Sequence, residues 1–323
     1  MKIVASIFVL ALSLLNIKPL SAQAPAQPKV STADIDNFWT AYDSINSTAD
    51  RYRQLNFINT LYFEKGTEGL RAFVKSGNYS AERYVRVIND YPLFWKSVRR
   101  NTLAVKEQVP AIEKNLEKLR LLYPDLKPAG IYFTVGALRS GGMTVGNMVL
   151  IGTEIASADT GTNALELTNW LRSQFAAQVS GNIVALNIHE FIHTQQKNGA
   201  ATVLGQCLVE GAADFVAEIV TKQKNLNEYM IFGQQNEAAL KQKFKNEMWR
   251  RNASGWIYNT GQVEHPELGY FMGFVICRAY YQNAKDKAKA LKEIIELDFS
   301  DRNALSDFLE KSRYYPNSNL RLQ

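Results

Sequence analysis

The chain has 323 residues, of which 46% are hydrophobic and 21% charged, the composition of an ordinary globular protein with a sizeable core. Its formal net charge of +6 is mild, and acids are interspersed with the lysines and arginines, so nucleic-acid binding is not expected. The two cysteines, Cys207 and Cys277, are too few for a disulfide framework. They are consistent with one disulfide or with two buried free thiols.

The N-terminus has the pattern of a secretory signal peptide. Lys2 is followed by an apolar stretch from Ile3 to Leu15 and then by small and polar residues, as in leaders that are removed on export. The stretch is shorter than the ~20 residues that cross a bilayer. We therefore expect residues 1–23 to be a signal peptide and the mature protein to be periplasmic or extracellular, without stable membrane insertion.

Residues 24–125 are predicted to form a helical N-terminal region. A loose lead-in rich in Pro, Ala and Gln occupies 24–32, and apolar residues at helical spacing then dominate up to Tyr123. The longest segment, Pro92 to Leu122, contains Pro110, which should kink or divide it. No chemical motif lies on these helices, so their aromatic residues are interpreted as core.

Residues 126–323 are predicted to form an α+β catalytic domain. Two strands, Pro128 to Gly136 and Met148 to Gly152, give a small sheet just before the functional motif. Its open edge can bind an extended peptide through main-chain hydrogen bonds, and a purely structural hairpin is the alternative. Helical patterns follow at Asn182 to Gly199, Val203 to Thr221, Glu228 to Trp249, Leu268 to Tyr281, Asp286 to Glu296 and Asp301 to Tyr314.

Two of the three histidines flank a glutamate in the run His189-Glu190-Phe191-Ile192-His193, the HExxH pattern of zinc hydrolases. Residues four apart share one helix face, so both imidazoles can bind one metal ion, while Glu190 is turned about 100° away towards a water. His189 and His193 are therefore predicted to bind one Zn²⁺ ion, with Glu190 as general base. A surface helix that merely carries two histidines is the alternative.

A catalytic zinc ion takes a third protein ligand. The metzincin histidine is missing, because Gly199 stands at its position. Glu210, seventeen residues after His193, fits because a turn at Gly199 would fold the next helix back antiparallel to the first. Asp214, one helical turn beyond Glu210, is predicted to accept the N–H of a ligand imidazole. Three side chains stay open as other third ligands: Asp214, Glu218 and His265.

Peptide hydrolysis also needs a donor for the developing oxyanion. His265 and Tyr270 are predicted for this role, since Gly269 and Gly273 in the same segment allow close backbone approach. Tyr258 is a weaker candidate. For each of them, a packed aromatic residue or a surface histidine is the alternative.

Three segments carry a family resemblance: HEFIH at 189–193, EGAAD at 210–214 and GYFMGF at 269–274. Over roughly Ile131 to Tyr281 the chain resembles predicted zinc-dependent proteases with the gluzincin motif. Exported members occur in Bacteroidetes-like bacteria, and some are similar to gliding-motility lipoproteins, whose anchoring cysteine is absent here. The resemblance implies a thermolysin-like core, one zinc ion on two histidines and Glu210, and Glu190 as general base.

Together these features predict an exported single-zinc metallopeptidase that acts on a peptide or protein substrate. Its expected fold is mostly helical α+β, a thermolysin-like zincin core with a small sheet beside the HExxH helix. Two alternatives stay open: a non-catalytic zinc-containing binding or scaffolding protein of the cell envelope, and a zinc hydrolase of a non-peptide amide. Nothing in the sequence predicts the oligomeric state.

Overall fold

A computed structural model describes residues 29–169, 171, 172, 175, 183–197 and 199–315. The predicted signal peptide, residues 1–23, lies outside them. In the described part the chain is mostly helical with a small mixed sheet, which confirms the α+β class. No helix in that part is both long and apolar enough to cross a membrane.

Helices fill the N-terminal region: α1 (Ala33–Asn46), α2 (Arg51–Ile58), α3 (Glu68–Gly77), α4 (Ala81–Asp90), α5 (Pro92–Ala104) and α6 (Val109–Leu122). Asp50, Thr67 and Ser80 cap α2, α3 and α4 by accepting first-turn N–H groups. The predicted division at Pro110 is confirmed, because a 3₁₀ turn precedes α6 and this proline lies in its first turn.

The sheet consists of β1 (Lys29–Ser31), β2 (Gly130–Thr134), β3 (Gly142–Val145) and β4 (Met148–Gly152), in the order β1-β2-β4-β3. Strand β2 is parallel to β1 and β4, and β3 is antiparallel to β4. Both predicted strands are confirmed. The prediction of an irregular lead-in over residues 24–32 is wrong for β1. This strand has only three residues, too few to show strand alternation, and it forms by pairing with β2. Strand β3 lies at the edge of the sheet that the described residues form.

The N-terminal helices and the sheet share one hydrophobic core. Phe38 and Trp95 are fully buried, which confirms the prediction of core for these aromatic residues, whereas Tyr52 on α2 is 86% exposed and is not core. The hydroxyls of Tyr62 and Tyr84 both donate to the carbonyl of Val135, at 2.6 and 2.8 Å. Buried phenols from two helices therefore satisfy the end of β2, as buried polar groups require.

After the sheet, the described residues include the helices α7 (Thr153–Ala156), α8 (Ile183–His193), α9 (Val203–Thr221), α10 (Glu228–Gln235), α11 (Glu237–Glu247), α12 (Leu268–Asn283), α13 (Lys287–Ile295) and α14 (Arg302–Ser312). The single helix predicted over Glu228 to Trp249 is wrong, since Asn236 separates α10 from α11. The side chain of Asn236 donates to the carbonyl of Phe232 at 2.9 Å, a local bond that competes with the continuing helix.

Helices α9 and α12 pack backbone against backbone. A Cβ atom on Gly273 would lie 1.8 Å from the carbonyl oxygen of Cys207, and one on Gly211 would lie 2.2 Å from the carbonyl carbon of Gly273. Any side chain at either glycine would force the two helices apart. Cys207 and Cys277 are both buried and free, which decides for two thiols rather than a disulfide.

Candidate metal centre

Helices α8 and α9 carry the centre. His193 lies beside Glu210, whereas His189, one turn earlier, lies beside Asp214, one turn later. The contacts run in opposite order along the two helices, so the helices are antiparallel. Gly199, at a φ of +95°, lies in the connection, where the sequence predicted a turn.

Three acceptor atoms of the centre converge on one point. Nε2 of His189 and Nε2 of His193 lie 3.0 Å apart, and Oε2 of Glu210 lies 3.4 and 3.3 Å from them. Tetrahedral Zn²⁺ with bonds of ~2.0–2.1 Å separates its ligand atoms by about 3.3 Å. Within the described ranges, these residues are the one group of His, Cys, Asp or Glu close enough to share an ion.

Hydrogen bonds behind the imidazoles fix their tautomers. His189 Nδ1 lies 2.8 Å from Asp214 Oδ1, and His193 Nδ1 lies 2.7 Å from Gln196 Oε1. The amide of Gln196 is oriented because its Nε2 donates to the carbonyl of Val209 at 2.9 Å. Since both partner oxygens can only accept, each Nδ1 carries a hydrogen. In the neutral rings both Nε2 lone pairs therefore face the convergence point.

The electrostatics of the centre favour a cation. Burial opposes ionisation of Glu210, but the two imidazoles beside it hold its pKa far below the ordinary value. Burial lowers the pKa of His189, yet Asp214 and then Glu210 raise it above the ordinary value overall. Two carboxylates thus set the potential of this buried site, and they stabilise positive charge there.

The carboxylate of Asp214 is fully engaged. Its Oδ1 accepts from His189, and its Oδ2 accepts from Asn225 Nδ2 at 3.0 Å and from the hydroxyl of Tyr229 at 2.8 Å. The structure therefore places Asp214 behind His189, at the position predicted for it, rather than among the converging atoms. Asn225 and Tyr229 have no signal in the sequence, because they follow α9 in a segment whose return path spacing does not reveal.

Glu190 leaves α8 on the side that faces β3. The hydroxyl of Thr144 donates to its carbonyl at 3.0 Å and lies 3.3 Å from its Oε2. A Cβ atom at Gly142 would lie 2.9 Å from Oε1 of Glu190, so this glycine leaves room for the carboxylate. Glu190 lines the same cleft as the three converging residues. The sequence predicted no role for Gly142 or for Thr144.

Two tyrosines complete the wall of this cleft. The hydroxyl of Tyr258 donates to Oε1 of Glu210 at 2.7 Å. The ring of Tyr270 stacks on the ring of His189, with centroids 6.2 Å apart and planes 14° apart. The close crossing of α9 and α12 holds Tyr270 there, since this residue lies between the two glycines of α12.

Two other side chains predicted as candidate site residues, His265 and Glu218, lie away from the converging atoms. His265 stacks on Phe232 at 3.6 Å between ring centroids, and its Nδ1 lies 3.1 Å from Oε1 of Glu228. Glu267, at a φ of +63°, lies between His265 and Tyr270 at the start of α12. Glu218 lines a neighbouring cavity instead of the centre.

One carboxylate fixes the loop that carries Tyr258. Glu267 accepts the backbone N–H groups of Tyr258, Asn259 and Thr260 at 2.7, 3.0 and 3.1 Å, and the hydroxyl of Thr260 at 2.7 Å. Tyr258 has a φ of +56°, which is uncommon for a residue other than glycine. These bonds hold Tyr258 in that conformation although 63% of it is exposed.

Comparison of the chain with protein-family models, with curated proteins and with solved structures gives no match. The resemblance to gluzincin-type proteases therefore stays a prediction. The function of the centre is inferred from its own geometry.

Proposed function

We propose that the protein is a single-zinc metallopeptidase. One observation carries the proposal: two imidazole lone pairs and one carboxylate oxygen converge within 3.0–3.4 Å in a buried site. Acceptors that face each other without a donor repel, and a cation between them removes that cost. Two nitrogens and one oxygen at tetrahedral spacing suit Zn²⁺ with a fourth position left for water or substrate.

The residues around the centre match the needs of peptide hydrolysis. When bound, zinc polarises a carbonyl and lowers the pKa of a water. Glu190, in the same cleft, is placed to take a proton and to return it to the leaving amine. Burial of the hydroxyl, and then the charge of Glu210, raises the pKa of Tyr258 and of Tyr270 above the ordinary value. Both phenols therefore stay protonated and can donate to a carbonyl oxygen, Tyr258 in exchange for its bond to Glu210.

The edge strand β3 favours a peptide over another amide as substrate. Gly142, Met143 and Thr144 of this strand line the cleft, and the bond between Thr144 and Glu190 joins it to the HExxH helix. An extended chain can pair with the free edge of such a strand through main-chain hydrogen bonds. With the antiparallel helices α8 and α9, this strand supports the proposal of a thermolysin-like zincin core. The leader-like N-terminus supports an exported enzyme.

Metal analysis combined with peptide digestion tests the proposal. We expect about one zinc ion per chain in the purified protein. Glu190→Gln should keep the metal and lose hydrolysis of a peptide library, whereas His189→Ala should lose both. Substantial cleavage by Glu190→Gln would contradict the general base. If the wild type binds zinc but releases no new peptide termini, the zinc-containing scaffold is the correct reading.

A further inference from the structure

A second cavity, of about 190 Å³, adjoins the proposed catalytic cleft. The two spaces share His189, Glu190 and Tyr270 as lining residues. A side chain of a substrate bound at Glu190 can therefore enter this cavity. Leu186 and Ala217 give it apolar walls, against which the stem of such a side chain can pack.

The carboxylate of Glu218 lines this cavity. Glu210, Asp214 and Glu218 follow at intervals of four along α9 and so lie on one face. Glu210 faces the ligand imidazoles, and Asp214 is fully hydrogen-bonded. Oε2 of Glu218 accepts the backbone N–H of Asn225 at 3.2 Å. Glu218 has no ion-pair partner among residues 29–169, 171, 172, 175, 183–197 and 199–315.

The charges around the cavity favour a cationic group. Its lining holds the carboxylates of Glu190, Asp214 and Glu218 and one amine, that of Lys224, which is exposed. Two helical turns, about 12 Å along the helix, separate Glu210 from Glu218. An α-amine next to the scissile bond is too close to the centre to span that separation. A lysine or arginine side chain has the length and the charge.

Resting on the proposed peptidase function, we propose that this cavity is the specificity pocket of the enzyme. In it, Glu218 pairs with the side chain of a lysine or arginine that flanks the scissile bond. The apolar stem of the substrate side chain packs on Leu186 and Ala217, and its charged end meets the open oxygen of Glu218. Glu218 is thus a specificity-determining residue.

The test compares two peptides that differ only in charge. A peptide that the wild type cleaves is made with lysine or with norleucine at the flanking position, and kcat/KM is measured for both. We expect the wild type to prefer lysine. Glu218→Gln, which keeps the size of the side chain, should reduce the lysine-to-norleucine ratio about tenfold or more. Lys224→Gln is the matched control of opposite sign and should raise the ratio.

Further experiments distinguish a basic side chain from an N-terminal amine as the cationic group, and they detect misfolded variants. Glu218→Lys should shift the preference towards a glutamate peptide, and zinc content shows that each variant keeps its centre. A wild type without preference for basic side chains, or a ratio that Glu218→Gln leaves unchanged, overturns the inference. The inference is also overturned if the preference depends on a free N-terminal amine of the peptide and is lost when that amine is acetylated. Glu190-dependent cleavage without basic preference leaves the peptidase proposal intact, whereas no cleavage overturns both.

Discussion

Two buried carboxylates of this molecule lie in opposite surroundings. Glu154, in α7, is completely buried and accepts the N–H groups of Gly136 and Leu138 at 2.7 and 3.2 Å. Burial raises the pKa of Glu154 to about 7 in spite of these bonds. Glu210 is also buried, but two imidazoles hold its pKa far below the ordinary value. Burial alone therefore does not make a metal ligand, and what distinguishes Glu210 is the pair of imidazoles that it faces.

Glu210→Gln should give the largest effect of the substitutions considered. A neutral amide replaces the anionic ligand, so we expect zinc affinity to fall by about a hundredfold or more. Competition of the protein with a chromophoric chelator measures this affinity. Glu154→Gln is the matched control, because it makes the same substitution at a buried site away from the centre and should keep the zinc. An equal loss in both variants would contradict a local role for Glu210.

The buried carboxylate of Glu154 predicts a pH dependence of the free energy of unfolding. The pKa of Glu154 is about 7 in the folded protein and 4.5 in the reference state, so the folded state binds more protons between these values. The free energy of unfolding should therefore fall as pH rises from about 4.5 to 7, by about 3 kcal/mol. Denaturant unfolding in a chelator measures it without a metal contribution.

Glu154→Gln should remove this contribution and flatten the pH dependence over the same range. Gln at this position keeps an oxygen to accept one of the two N–H bonds, so the variant can fold. If wild type and variant lose stability in parallel between pH 4.5 and 7, the slope arises from other groups and Glu154 ionises freely in the fold.

Asp214 tests an intermediate case, a carboxylate that faces the metal only through His189. Asp214→Asn keeps an oxygen that can accept the Nδ1 hydrogen but removes the charge behind the ring. Zinc affinity should fall by about 10- to 100-fold, measured by the same chelator competition. Gln196→Ala removes the neutral partner of His193 and should lower zinc affinity less than Asp214→Asn does. If Gln196→Ala lowers zinc affinity more than Asp214→Asn does, the negative charge of Asp214 does not support His189 as a ligand.

The sequence predicted the centre where local spacing determines geometry. Four-residue spacing places His189 and His193 on one helix face, and the bounds predicted for α9, Val203 to Thr221, agree with the structure. The glycine turn then brings Glu210 to the histidines. Each of these steps needs only helix periodicity and one reversal of the chain.

The rest of the centre depends on contacts between distant segments. Thr144 reaches Glu190 from a strand forty-six residues earlier, and Tyr229 reaches Asp214 from α10. Periodicity does not report such packing. His265 shows the opposite case: its closeness to Tyr270 in the sequence suggested a shared site, but its ring stacks on Phe232 instead. Gln196 was within reach of sequence reasoning, since it lies three residues after His193.

The smallest expected effect concerns a third carboxylate, Glu267, which faces backbone N–H groups like Glu154 but serves the centre through Tyr258. Tyr258→Phe removes one donor, and since Tyr270 remains, kcat should fall only about tenfold. Glu267→Gln should lower kcat by no more than this, because it loosens the loop without removing the phenol. If both substitutions act through the phenol of Tyr258, the double variant should lose no more kcat than Tyr258→Phe alone. Losses of kcat that multiply would show that Glu267 acts independently of Tyr258.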